Sequence, residues 1–171
     1  MFFYLENKIP MSAVELWQTM HTPIFDAFVA KEYNLLAYIE LEKQISNDIM
    51  QRRVRIISKI DGNYLTRSIA KKILGSDILV YEEIQKKYLN SFELHWRIIP
   101  PVFEDKFEAS GILRLKPINE NQCIRIREGT INIALFGADR LMKIIAAAQS
   151  KKNEDRFSQI VKKWKTESQI V

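Results

Sequence analysis

The chain has 171 residues, of which 47% are hydrophobic, 11% aromatic and 27% charged. That apolar share supplies one core and excludes an intrinsically disordered chain, and five Gly with five Pro exclude collagen-like and low-complexity readings. The formal net charge is +5, and the excess is concentrated near the end, where Arg140, Lys143, Lys151, Lys152, Arg156, Lys162, Lys163 and Lys165 stand against Asp139, Glu154, Asp155 and Glu167.

No stacking aromatics or recognisable motif accompany that basic excess, so no nucleic-acid partner is expected. It reads as the solvated face of a helix. The alternative is a peripheral contact of that helix with an anionic membrane or an acidic protein. The single cysteine, Cys123, has no intramolecular disulfide partner and reads as a strand residue. The N-terminus lacks the basic and apolar regions of a signal peptide, and no apolar run approaches the roughly 18 residues of a membrane span. A cytoplasmic protein of one domain, residues 1–171, is the expectation.

Residues 2–9 read as a first strand, closed by Pro10. Ser12-Ala-Val-Glu15 is a capping box and opens a short helix over 12–20, with Val14, Leu16 and Trp17 as candidate buried residues. Thr22-Pro23 caps a second helix, in which Ile24, Phe25, Phe28 and Val29 fall at helical spacing. From Leu35 the period becomes two, with Leu35, Ala37, Ile39 and Leu41 on one face. A turn at Ser46-Asn47-Asp48 leads to a strand over 49–57, where Met50, Val54 and Ile56 share a face with Arg52. Arg52 is read as a strand-end residue reaching out to water.

A helix is expected over 64–74, with Gly75 as its C-cap. Four strands follow, near 78–88, 91–99, 105–116 and 121–134. In the second of these Phe92, Leu94, Trp96 and Ile98 oppose Glu93, His95 and Arg97. In the third Phe107, Ala109, Gly111, Leu113 and Leu115 oppose Glu108, Ser110 and Arg114. One wet and one dry face per strand indicates an antiparallel sheet. From Leu135 to Glu167 the apolar steps of three and four residues, Leu141, Ile144, Ile145, Ala148, Phe157, Ile160, Val161 and Trp164, predict one long helix. The stripe from Phe157 onward either packs on a second subunit, giving a homodimer, or folds back on its own domain.

This order resembles the helix-grip fold of the START-like (SRPBCC) superfamily, which includes the birch-pollen-allergen and polyketide-cyclase families. Ser12-Ala-Val-Glu-Leu-Trp17, Lys71-Lys-Ile-Leu-Gly75, Tyr81-Glu-Glu83, Trp96-Arg-Ile-Ile-Pro100, Ala109-Ser-Gly111 and Arg127-Glu-Gly129 further resemble a bacterial group of unknown function, DUF2505. The resemblance implies an α+β fold. A curved antiparallel sheet of about seven strands would wrap the C-terminal helix, with two short helices after the first strand and an extra helix between the third and fourth. It also implies a cavity between sheet and helix for an apolar or amphipathic, lipid-like molecule, held without covalent chemistry and without a cofactor. The rival implications are a polyketide cyclase or aromatase, and a protein-docking module of the Hsp90-activator type.

Candidate ligand-binding residues are Tyr81, Trp96, Phe107, Glu128, Leu141 and Ile145. Trp96 equally reads as core, since its face is otherwise apolar. Glu128 depends on strand phase. If the inward alternation of Ile124 and Ile126 continues, Glu128, Thr130 and Asn132 face the interior, where a desolvated carboxyl has a raised pKa and can act as an acid or an anchor. A bulge at Gly129 instead flips the phase and turns Ile131 and Ile133 inward. His21 and His95 have no second ligand at metal-binding spacing, and the five isolated glycines form no phosphate loop, so neither a metal nor a catalytic residue is assigned.

Overall fold

The structure, a computed structural model, describes residues 1–60, 68, 71, 75–100, 107–134 and 139–168, with the side chains of 133 and 139–150 excepted. The elements in chain order are β1 (Phe2–Ile9), α1 (Ala13–Thr19), α2 (Pro23–Glu32), β2 (Ala37–Ser46), β3 (Ile49–Lys59), β4 (Ile78–Tyr88), β5 (Glu93–Ile99), β6 (Phe107–Asn119), β7 (Gln122–Ile133) and α3 (Asp139–Ser168). The strands form one curved antiparallel sheet in the order β1-β7-β6-β5-β4-β3-β2. The helix expected over 64–74 lies outside the described residues except at 68 and 71. Gly75 closes that segment at φ +72°, donating its N–H to the Lys71 carbonyl at 2.9 Å.

Local chemistry starts and stops these elements. The Ser12 hydroxyl accepts from the Glu15 N–H at 3.1 Å, and Thr22 accepts from the Phe25 N–H at 3.4 Å with Pro23 in the first turn of α2. Asn47 and Asp48 both take positive φ, 50° and 60°, which matches a two-residue hairpin turn to the twist of β2 and β3. At about 1.5 Å per residue, the 30-residue α3 is roughly 45 Å long.

The core lies between the sheet and the three helices. Ile9, Leu16, Trp17, Phe25, Leu94, Trp96, Leu113, Cys123, Ile131, Phe157 and Val161 are all buried. The last turns of α3 fold back on their own domain: Phe157 and Trp164 meet Phe25 edge-on at 6.4 and 5.2 Å, and Trp164 meets Phe28 at 5.2 Å. The stripe that offered a dimer surface is therefore covered within the chain.

Three expectations of burial are corrected. Val14 and Ile24 are exposed, at 55% and 74%, because each points off its helix away from the sheet. Ile39 and Leu41 are also exposed. β2 is an edge strand whose inward residues are Tyr38 and Glu40, cross-strand partners of Ile56 and the fully buried Val54. Arg52 is 3% exposed and does not reach water, because Asp26 of α2 meets it inside.

Candidate functional site

Cross-strand pairing defines the inward face. One rung runs Arg52–Gln85–Trp96–Gly111–Gly129–Phe3 across six strands. The next runs Met50–Lys87–Leu94–Leu113–Arg127–Leu5. Since alternate residues share a face, Cys123, Arg125, Arg127, Gly129 and Ile131 all point inward from β7. The pairing is continuous through Gly129, with no bulge there. Both sequence alternatives placed Ile124 and Ile126 inward, and that starting phase is wrong. Glu128 consequently lies on the outer face, where it accepts from Arg114 Nη1 at 2.5 Å with its side chain 28% exposed. No inward carboxyl arises at this position.

Gly111 and Gly129 are directly opposed and form the seat of Trp96. A Cβ on Gly111 would lie 2.7 Å from Trp96 Cζ2 and 2.6 Å from Gly129 Cα, and would collide with the Glu128 carbonyl oxygen. A Cβ on Gly129 would meet the same indole carbon at 2.7 Å. The indole therefore lies against bare backbone, flanked by Phe3 at 5.9 Å, with the Arg127 guanidinium over its ring at 4.5 Å. Trp96 is 4% exposed, and its Nε1 has no hydrogen-bond partner among the described residues.

Beyond Trp96 the face is charged. Arg125, 8% exposed, bonds Glu154 of α3, which is 3% exposed and lies 3.8 Å from Arg127. Arg125 also stacks over Phe157 at 4.3 Å. Towards β2, Arg52 donates to Gln85 at 2.6 Å, to Asp26 at 2.5 Å and to the Tyr38 hydroxyl at 2.7 Å. Gln85 in turn donates to Glu83 at 2.7 Å. Lys87 is buried and spans to the end of α1, giving its protons to the Trp17 and Met20 carbonyls at 2.5 and 2.9 Å.

Burial sets the proton affinities. The Lys87 ammonium is pushed down to about 8 by burial and then by Arg52. His21, held at φ 73° between the helices, has its pKa pushed well below the ordinary value, first by burial and then by Arg52 and Lys87, so its imidazole is neutral at pH 7. Burial raises Tyr81, with Glu83 adding to it; Tyr33 is pushed up to about 12. These phenols keep their protons and act only as hydrogen-bonding groups near neutrality. The Cys123 thiol, pushed up to about 11 by burial, is no nucleophile.

Of the sequence-assigned residues, Tyr81, Trp96 and Phe107 all point inward. Tyr81, within β4, and Phe107, the first residue of β6, are half-buried. Glu128 is on the opposite face, and the Leu141 and Ile145 side chains lie outside the described set. Sequence reading missed Arg125, Arg127, Gln85, Lys87 and Glu154. Glu154 had a usable signal, since it falls three and seven residues before Phe157 and Val161 on their own stripe.

Among the described residues, no three His, Cys, Asp or Glu side chains cluster as a metal site. A cavity of about 240 Å³ is lined by Gln44, Ser46, Asn47, Ile49 and Gln51 at the β2–β3 hairpin. Its strand residues belong to the outer face, so it is separate from the group around Trp96.

No family model and no curated protein sequence matches the chain. Solved structures do match. A protein from Thermus thermophilus aligns at TM-score 0.66 and 10% identity, over 94% of this chain and 97% of that one. The Zhui aromatase/cyclase from Streptomyces sp. R1128 aligns at 0.64 and 10%, over 94% and 90%. A START superfamily protein from Mycobacterium smegmatis aligns at 0.64 and 11%, over 95% and 98%. At these identities the likeness is one of fold: this chain has the START-like, helix-grip fold. The narrower resemblance to DUF2505 rests on the quoted residues alone. Among the described residues, no helix is long and apolar enough to cross a membrane.

Proposed function

We propose that the chain, acting as one START-like unit over 1–171, binds an amphipathic small molecule between the inward sheet face and α3, without covalent chemistry. The observation that carries this is how the face is covered. α3 packs on β1 and β7 and α2 on β2. Between them Tyr38, Tyr81, Glu83 and Ile98 stay half-buried on the inward face, beside buried Trp96. A lining that sets aromatic and aliphatic side chains beside charged groups suits an amphipathic small molecule. The aromatase/cyclase among the solved structures sharing the fold supports the same use of the space.

Native mass spectrometry of the purified chain, followed by organic extraction, tests the reading. The expected result is an extra mass that moves into the organic phase, or uptake of one after incubation with a mixture of fatty acids and aromatic acids. A bare mass in both states overturns it.

A cyclase reading has one supporting observation: Tyr81, protonated and inward near Arg127, can donate a hydrogen bond to a bound carbonyl. Its former rival Glu128 lies outside. Positioning a reactive chain against one donor is the chemistry that reading requires. The docking reading is weaker on the same grounds, since Lys163 of the basic helix is already tied to Glu32 at 2.6 Å and Glu167 at 3.8 Å.

A further inference from the structure

Among the described residues, two side chains more than nine-tenths buried present hydrogen-bond donors with no acceptor: Trp96 Nε1 and Arg125 Nε. Asn7, half-buried and the cross-strand partner of Arg125, adds a buried Nδ2 without an acceptor among the described residues. All three point inward, and they border one contiguous group, because Arg127 covers the Trp96 ring and shares Glu154 with Arg125. Buried donors are normally satisfied, and leaving one bare costs on the order of 1–3 kcal/mol.

The charge points the same way. Two guanidiniums, with side chains 9% and 21% exposed, share the Glu154 carboxylate, and among the described residues the inward Glu83 carboxylate, which accepts from Gln85 at 2.7 Å, forms no ion pair with either. A buried cation without a partner is costly, and its natural complement is an anion. Nearby His21 adds no charge, being neutral, and Tyr33 and Tyr81 stay protonated.

We infer that the molecule bound against this face carries an anionic oxygen on an apolar body, received by the Trp96 indole N–H and the Arg125–Arg127 pair. This rests on the small-molecule reading above and adds the class of ligand: a fatty or aromatic carboxylate or a comparable oxyanion. The apolar body lies along the face towards Tyr81 and Ile98. The seat of two glycines gives this arrangement its geometry, since it fixes the indole plane by receiving Cζ2, two bonds from Nε1, against Gly111 and Gly129.

The test uses the full chain labelled with ¹⁵N at its three tryptophan indoles. Decanoate is compared with 1-decanol, and 2-naphthoate with 2-naphthol, by calorimetry and by the indole resonances at pH 7.5. Trp96→Phe assigns the Trp96 signal. The expected result is at least tenfold tighter binding of one acid than of its neutral counterpart, with a downfield move of the Trp96 indole proton. Whichever acid discriminates identifies a fatty or an aromatic source. Arg127→Met is expected to erase the preference for the acid over its neutral counterpart. If the alcohol or the phenol binds as tightly as the acid, or an acid binds with the Trp96 resonance unmoved, the anionic inference falls and the small-molecule reading stands. If no compound binds, both fall. Should Trp96→Phe fail to fold, the resonances of the unsubstituted chain and the Arg127→Met titration still decide the matter.

Discussion

Gly111→Ala tests the seat of Trp96 most directly. In an open strand the substitution is mildly favourable, because alanine has less backbone freedom to lose on folding. Here the added Cβ lies 2.6 Å from Gly129 Cα and 2.7 Å from Trp96 Cζ2, and it collides with the Glu128 carbonyl oxygen. Two of these three neighbours are backbone of a central strand and cannot rotate aside. Overpacking costs about 1–3 kcal/mol, and backbone contacts put this case at the upper end, about 3 kcal/mol. For a chain of this length each kcal/mol moves Tm by about 2–4 °C, so the expected fall is about 6–12 °C. Urea unfolding followed by far-UV circular dichroism gives the free energy directly. A double-mutant cycle with Trp96→Leu apportions it, since removing the indole relieves one of the three contacts. The pair is expected to cost about 1 kcal/mol less than the sum of the single changes. A Gly111→Ala chain within about 0.5 kcal/mol of the parent, the spread of neutral surface changes, would refute the seat.

Three further outcomes follow from the inward face. Arg52→Met strands the Asp26 carboxylate and the buried Gln85 amide, and a loss of about 3–5 kcal/mol in urea unfolding is expected; adding Asp26→Leu should recover more than half, and a double variant no better than the single one would contradict the pairing. Lys87 has its folded pKa pushed down to about 8 from 10.5, so between pH 8 and 10 the unfolded chain holds a proton that the folded chain has released, and stability rises with pH by about 2 kcal/mol. Cys123 and the buried tyrosines, raised rather than lowered, pull the other way at the top of that range, so the quantity to measure is the parent's pH slope minus that of Lys87→Met; equal slopes would refute the assignment. Glu128→Gln should leave the affinity for decanoate or 2-naphthoate within twofold and cost under about 1 kcal/mol, since it loses only a half-exposed pair with Arg114; a large loss of affinity would place Glu128 at the ligand after all.

What the sequence made legible follows from how local each signal is. Ser12 and Thr22 act on neighbours within three residues, and each caps where its type and spacing predict. β5 and β6 show their dry face because Leu94, Trp96, Ala109 and Leu113 are apolar against polar alternates. β2 and β7 mislead because their inward residues are polar: Tyr38 and Glu40 on one, Arg125 and Arg127 on the other. Each is matched by a polar partner and not an apolar one, Arg52 of the neighbouring strand for the first pair and Glu154 of α3 for the second. Hydrophobic alternation cannot register a partner 29 residues away. Since side chains alternate at period two, choosing the wrong starting residue inverts the whole strand, and Glu128 was misplaced by that inversion alone. The glycines offered a correction. Interior strand glycines mark a close approach, and Gly111 with Gly129, read as one rung beneath Trp96, fixes the phase of β7 without reference to its isoleucines.

The polar pairs also explain why the helices sit where they do. An apolar stripe at steps of three and four residues packs against a sheet in more than one position, since a slide of one turn brings an equivalent set of side chains into contact. Phe157, Ile160 and Val161 alone leave that choice open. Glu154 closes it: a 3%-exposed carboxylate has to find Arg125 and Arg127, and a slide of about 5.4 Å would leave all three charges unpaired. Asp26 on α2 does the same against Arg52, and the Lys87 ammonium does so against the carbonyl end of α1. Each helix is thus tied to the inward face by one buried ionic or charge-assisted contact. Among the described residues, the group by Trp96 keeps the unpartnered donors of Trp96, Arg125 and Asn7 after its helix is placed, against a single unpartnered ring nitrogen, His21 Nδ1, at the α1–α2 junction.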